Sequence, residues 1–166
     1  MRHSPAVMVL AVATVALAAC NKQQAASSSA AAPEQAAAPA GEPTPEQAKA
    51  ILATLPAQYQ TADIENGKHK FAQCAACHTA TQGGPNMTGP NLYGVFGRKI
   101  GTAAAYDYSD AVKAQSFTWD ADHIDTWITD PRAMIPNTKM TFAGLKDPKD
   151  RIDVIGYLKV TTTPAK

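Results

Sequence analysis

The sequence predicts an all-α domain, and three observations predict it. No segment sustains the apolar–polar alternation of a strand. Three stretches instead pair a capping residue with apolar positions at helical spacing, opening at Asp63, at Thr118 or Asp120, and at Asp147. All eleven aromatic residues lie between Tyr59 and Tyr157, so the core has to be built from roughly the last 105 residues, a marginal length without a staple or cofactor.

The N-terminal third is of another kind. Residues 1–57 hold 19 of the 33 alanines and six of the twelve prolines. Arg2 and His3 precede an apolar run from Pro5 to Ala19, too short to span a membrane comfortably and of the form of an export signal. The run ends Leu17-Ala18-Ala19-Cys20, which resembles a bacterial lipobox, so Cys20 is expected to become the lipidated first residue of the mature chain. An ordinary cleaved signal, leaving a soluble periplasmic protein, is the competing reading. Residues 20–57 read as an Ala/Pro-rich disordered tether, with at most a short helix around Glu46 to Leu55. As a flexible coil it would reach roughly 30–37 Å. The expected organisation is thus a signal over 1–19, a tether over 20–57 and a folded domain over 58–163.

In that domain Asp63 caps a helix that runs through Phe71 to Cys74-Ala75-Ala76-Cys77-His78. Cys-x-x-Cys-His is the attachment signature of c-type haem. Thiols three apart on one helical turn point the same way and can add to two vinyl groups of one porphyrin, with the adjacent imidazole reaching the iron. A thioredoxin-like pair would need a strand before it, and structural zinc would need further ligands, whereas no cysteine follows Cys77 and the only later histidine is His123. One covalent haem c also supplies the apolar surface that this short domain lacks. With Cys74 and Cys77 on haem and Cys20 on lipid, none of the three cysteines is left for a disulfide.

The second axial ligand has four candidates, Met87, His123, Met134 and Met140. Met87 lies only nine residues past His78. His123 sits in the acidic first turn of the helix opened by Thr118 or Asp120, a solvated position, and His69 is expected to face solvent on the first helix. Met134 and Met140 remain; the context favours Met140, because Pro131, Pro136, Asn137 and Thr138 make the preceding stretch a rigid loop, while Met134 packs. The second helix puts Ile124, Trp127 and Ile128 on one face and ends at Pro131; a short helix begins at Ser109. Asp147-Pro148 opens the last, with Ile152, Ile155 and Leu158 in one stripe and Tyr157 beside it.

With these motifs in place, residues 60–160 resemble the class I cytochromes c. Gly67 and Phe71 match the family's first helix, where a glycine and an aromatic permit close packing against the last helix. Thr88-Gly89-Pro90-Asn91-Leu92-Tyr93-Gly94 matches the loop whose proline carbonyl accepts a hydrogen bond from the ligating histidine, and Ile135 to Gly144 matches the methionine loop. The resemblance implies His78 and Met140 as axial ligands, Pro90 and Thr138 as their supports, and Arg98, Tyr108 and Trp119 as contacts of the haem propionates. Three positions depart from the pattern: Trp127 for a common tyrosine, Asn137 for a common glycine, and Val112 for a buried polar residue.

The resemblance further implies a monomeric one-electron carrier, not an enzyme; lipidation at Cys20 would anchor it at the periplasmic side of a bacterial membrane. Its partners would be a quinol-oxidising cytochrome complex and a terminal oxidase, reductase or photosynthetic reaction centre. Lys68, Lys70, Lys99, Lys139 and Lys146 would border the haem crevice as a docking ring, unless they are simply solvated. A haem-bearing subunit of a larger oxidoreductase, or a haem peroxidase or ligand sensor, are the alternatives. The formal charge of +1, from 15 basic and 14 acidic residues, speaks against nucleic acid as a partner.

Overall fold

A computed structural model describes residues 43–163; the expected export signal, the expected lipid site at Cys20 and most of the expected tether lie outside them. Among the described residues six α-helices follow one another: α1 (Pro45–Leu52), α2 (Ile64–Ala75), α3 (Asp110–Lys113), α4 (Ala121–Thr129), α5 (Pro131–Met134) and α6 (Pro148–Thr162), with a 3₁₀ turn at Ala57–Tyr59. Among the described residues the only β pairing is an isolated bridge between Lys99 and Thr118. No described helix is long and apolar enough to cross a membrane.

The capping residues set these boundaries. Asp63 accepts from the Asn66 N–H, Ser109 from Val112, Asp120 from His123, and Asp147 from Lys149 and Asp150. Of the two candidates for the start of α4, Asp120 is the cap. Pro131 does more than end α4. Asp130 accepts from the Ala133 N–H and Pro131 takes the first helical position, where its missing N–H costs nothing, so the expected loop opens with the turn of α5.

Helices α2 and α6 cross at the centre of the domain, with α4 and α1 also against α6. The crossing is close because position 67 has no side chain: a Cβ there would fall into the Asp153 carbonyl. Phe71 packs on Tyr157 at 5.3 Å. Val154, Ile155 and Leu158 are buried with Leu52, Leu55, Tyr59 and Phe71 in the main core. Ile100, Val112 and Ile135 form a second cluster, onto which Met134 packs.

Two expectations need correction. The tether is expected to run to residue 57 with at most a short helix around Glu46 to Leu55; that helix is present as α1, capped by a reciprocal Thr44–Gln47 box, but Leu52 and Leu55 are buried in the core. The folded part therefore includes the segment from Thr44 to residue 57. Alanine content hid this, since two leucines are enough to seat a short helix that already has a partner. The single stripe expected on α6 is also too narrow. Gly156, on the side opposite Val154 and Leu158, meets Ala62 and Leu52, so α6 is covered on both sides.

Candidate haem site

A cavity of about 240 Å³ opens among α2, α4, α6 and the intervening loops. Its walls are largely apolar, with Phe71, Leu92, Val95, Ile124, Ile128, Val154 and Leu158 among them. Cys74, Cys77, His78, Pro90, Arg98, Tyr108, Trp119, Thr138 and Met140 all line it, although they are spread over 67 residues of sequence. Met87, Met134, His69 and His123 do not. Met87 is 47% exposed, and His123 stacks on Phe117 at 4.4 Å with its Nδ1 2.7 Å from Asp120.

His78 is fixed from two sides. Its Nδ1 lies 2.7 Å from the Pro90 carbonyl oxygen. A carbonyl only accepts, so Nδ1 carries the proton and Nε2 is left with its lone pair. Burial lowers the pKa of the ring, against the upward pull of the Pro90 bond, which favours the neutral imidazole a metal requires. Gly89 leaves the room for this ring, since a Cβ there would overlap it. The Gly89 N–H donates to the Cys77 carbonyl at 2.8 Å, tying this loop to the end of the motif.

The two cysteines are not joined to each other. Burial, and next the charge of Cys77, push the Cys74 thiol up to about 11. Both cysteines line the cavity, Cys74 from the last turn of α2 and Cys77 from the turn that follows it.

The methionine loop is shaped by Asn137, which sits at φ +65°. That explains why a glycine is common at this position and why asparagine, which tolerates the left-handed region, can replace it. Thr138 Oγ1 accepts from the Met140 N–H at 3.3 Å, and the Thr138 N–H donates to Ile135 at 3.2 Å. Trp119 stands edge-on to both Phe117 and Trp127, at 5.0 and 5.7 Å. Arg98, half-buried, donates to the carbonyls of Asn91 at 3.0 Å and Tyr93 at 3.3 Å. Its charge thus meets only neutral acceptors there, a setting suited to an anionic group. Burial also raises the Tyr108 hydroxyl above its ordinary range, so it stands as a donor.

The cavity fits a flat apolar macrocycle on chemical grounds. It brings two thiols and a lone-pair nitrogen together with a thioether inside apolar walls, and places a cation and a phenol at the same cavity.

Sequence reasoning passed over two asparagines that build the Pro90 loop. Asn91 Nδ2 donates to the carbonyls of Gly84 at 2.6 Å and Thr81 at 2.9 Å, while its Oδ1 accepts from the Tyr93 N–H at 2.6 Å. Asn86 Oδ1 in turn accepts from the Asn91 N–H at 2.9 Å. The signal was there, since asparagine hydrogen-bonds nearby backbone in turns, but nothing local says which turn.

The family model for cytochrome c matches residues 64–162. The chain is 50% identical over 96 residues to a cytochrome c2 of Rhodoplanes tepidamans, covering 58% of this chain and 90% of that protein. It is 50% identical over 98 residues to a cytochrome c of Theileria parva, covering 58% and 84%, and 45% identical over 101 residues to a cytochrome c of Arabidopsis thaliana, covering 60% and 90%. The chain thus belongs to the cytochrome c family, as an all-α class I electron-transfer protein that binds covalent haem c and is not an enzyme.

Proposed function

We propose that this chain is a membrane-tethered one-electron carrier in which Cys74 and Cys77 form the thioethers to haem c and His78 and Met140 are its axial ligands. The observation that carries this reading is the cavity itself: it gathers all four residues and none of the three rival ligands. Haem c, when bound, supplies the one-electron change at iron.

The protein's own groups hold that change steady. Pro90 fixes the His78 tautomer and aims Nε2 into the cavity, and the hydrogen bond adds to the basicity of the ring. Thr138 holds the Met140 backbone. A thioether is a soft, neutral donor, which favours the reduced state relative to harder ligands. Isoleucine, valine and leucine side chains exclude water from the walls, and Arg98 and Tyr108 can take the charge of propionates without a carboxylate rival. With His78 and Met140 both holding the iron, no position would be left for a substrate, and electrons would pass at an exposed edge.

Cys20, after the signal of residues 1–19, would anchor the carrier at the periplasmic face of a bacterial membrane. As a monomer on a tether it would move between a quinol-oxidising cytochrome complex and a terminal oxidase or reductase. The ferric spectrum tests the ligation. The wild type should show the sulfur-to-iron charge-transfer band and bind cyanide slowly; Met140→Ala should lose the band and bind cyanide tightly. Fast cyanide binding by the wild type would overturn the closed site. Partition of the mature protein into the aqueous phase of a detergent separation, without labelled fatty acid, would remove the anchor.

A further inference from the structure

The cavity reaches solvent along a rim that is close to neutral. Of its lining residues Gln73, Thr88, Lys139 and Thr141 are exposed, and Met87, next to Thr88, is the large hydrophobic that stands out in solvent among the described residues. The rim has no carboxylate and a single ammonium. That ammonium is cancelled: Lys139 Nζ lies 2.7 Å from Asp107 Oδ2 and donates to the Asp107 carbonyl at 2.8 Å. Lys113 approaches the other oxygen of the same carboxylate at 3.3 Å and Asp110 at 3.8 Å.

Two of the other lysines expected to ring the crevice are matched in the same way, while Lys68 and Lys99 do not line the cavity. Lys70 pairs with Asp150 at 2.8 Å, and Lys146 lies 3.9 Å from Asp130. Exposed pairs of this kind contribute little to stability. Their effect on approach is larger, because a partner several ångströms away but within the Debye length of about 10 Å feels only the local sum of charge. Two lysines and two aspartates beside the rim sum to none.

We propose that the redox partner docks on this rim through an apolar, uncharged face that covers Met87, and not through an acidic face drawn by a lysine ring. The proposal rests on the carrier reading, in which this cavity edge is where electrons leave. Asp107 sets the charge of the surface, and Met87 supplies its apolar contact.

The test uses the full-length holoprotein and two inorganic oxidants of opposite charge, hexacyanoferrate(III) and tris(phenanthroline)cobalt(III). Between about 10 and about 500 mM salt, each should oxidise the reduced protein at a rate that changes less than about threefold. A rise of about tenfold for hexacyanoferrate at low salt, mirrored by a fall for the cobalt complex, would reveal an open lysine ring and overturn the proposal. Asp107→Asn should raise the low-salt hexacyanoferrate rate about threefold or more with the absorption spectrum unchanged. Electron self-exchange between oxidised and reduced copies, read by NMR line broadening, should fall several-fold in Met87→Lys at low salt and recover at high salt. Self-exchange unchanged in that variant would exclude Met87 from the contact. No oxidation by either reagent at any salt would instead strike the carrier reading itself, and this proposal with it.

Discussion

Asp153 on α6 accepts a hydrogen bond from the Asn66 side chain on α2 at 2.7 Å, and the carboxylate that accepts it has no exposed surface. The Asp63 N–H donates to its other oxygen at 2.8 Å, and Lys149 Nζ donates to both oxygens, at 2.5 and 2.6 Å, from the solvent side. One buried acid thus ties the N-cap of α2, the first turn of α2 and the first turns of α6 together at the crossing that carries the cavity. Read on sequence, Asp153 is an ordinary polar position between two apolar ones, and only the crossing gives it a role.

Replacing Asp153 by alanine should cost about 2–4 kcal/mol, chiefly by leaving the Asn66 amide and the Asp63 N–H buried and unmatched. Lys149 stays hydrated, so the larger penalty of a stranded buried charge does not apply. Burial raises the carboxyl pKa, but the Lys149, Asn66 and Asp63 donors outweigh it and hold the value below the ordinary range. The sign follows: the ionised acid stabilises the fold above the unfolded carboxyl value of about 3.9, and this is lost as pH falls through the lower folded value. Denaturant unfolding of wild type and Asp153→Asn should differ most near neutrality and converge in acid.

Gly67→Ala and Gly94→Ala should separate two reasons for a glycine. At position 67 the added carbon meets the Asp153 backbone, which cannot move without parting α2 from α6. At position 94 it meets open space, but φ is +67°. The first should fall at or above the top of the 1–3 kcal/mol range, roughly, for overpacking; the second should cost about 1–2 kcal/mol of backbone strain. Thermal melts of the two holoproteins check the order.

The site was more legible than the frame around it. Cys74, Cys77 and His78 are adjacent, and attachment chemistry fixes their spacing, so they could be read from the residues alone. Pro90, Arg98, Tyr108 and Thr138 needed the family resemblance, because each acts across a loop closure that sequence does not encode locally. Met140 stood between, favoured by its loop context and then by the resemblance. The short helix around Glu46 to Leu55 is legible but the burial of Leu52 and Leu55 is not, because a short amphipathic helix in an alanine-rich stretch looks the same whether or not a face of α6 awaits it.

That helix gives a further prediction. Leu52 and Leu55 are buried, and Tyr59 donates to Asp122 at 2.9 Å, joining the segment to α4 as well. Leu52→Ala should lower the unfolding free energy by about 2–5 kcal/mol, as a core leucine does, and Tyr59→Phe by about 1 kcal/mol. If the segment were tether, neither change would move the denaturant midpoint. The same measurement on a chain shortened to begin at Pro43 should match the full length, since α1 and its cap remain.

Asn91→Ala tests how the loop governs the ligand. The side chain makes two bonds to the carbonyls of Thr81 and Gly84 and receives one from Tyr93, and the residue directly follows Pro90. Removing it leaves these partners to find water, at a cost of about 2–3 kcal/mol. It also releases the Pro90 carbonyl from its fixed aim at His78 Nδ1. A looser bond makes the imidazole less basic and so a weaker donor to the oxidised metal. The reduction potential should therefore rise, while the sulfur band that reports Met140 stays in place. Voltammetry of the variant beside wild type decides it: an unchanged potential alongside the expected loss of stability would show that Asn91 supports the fold but does not tune His78.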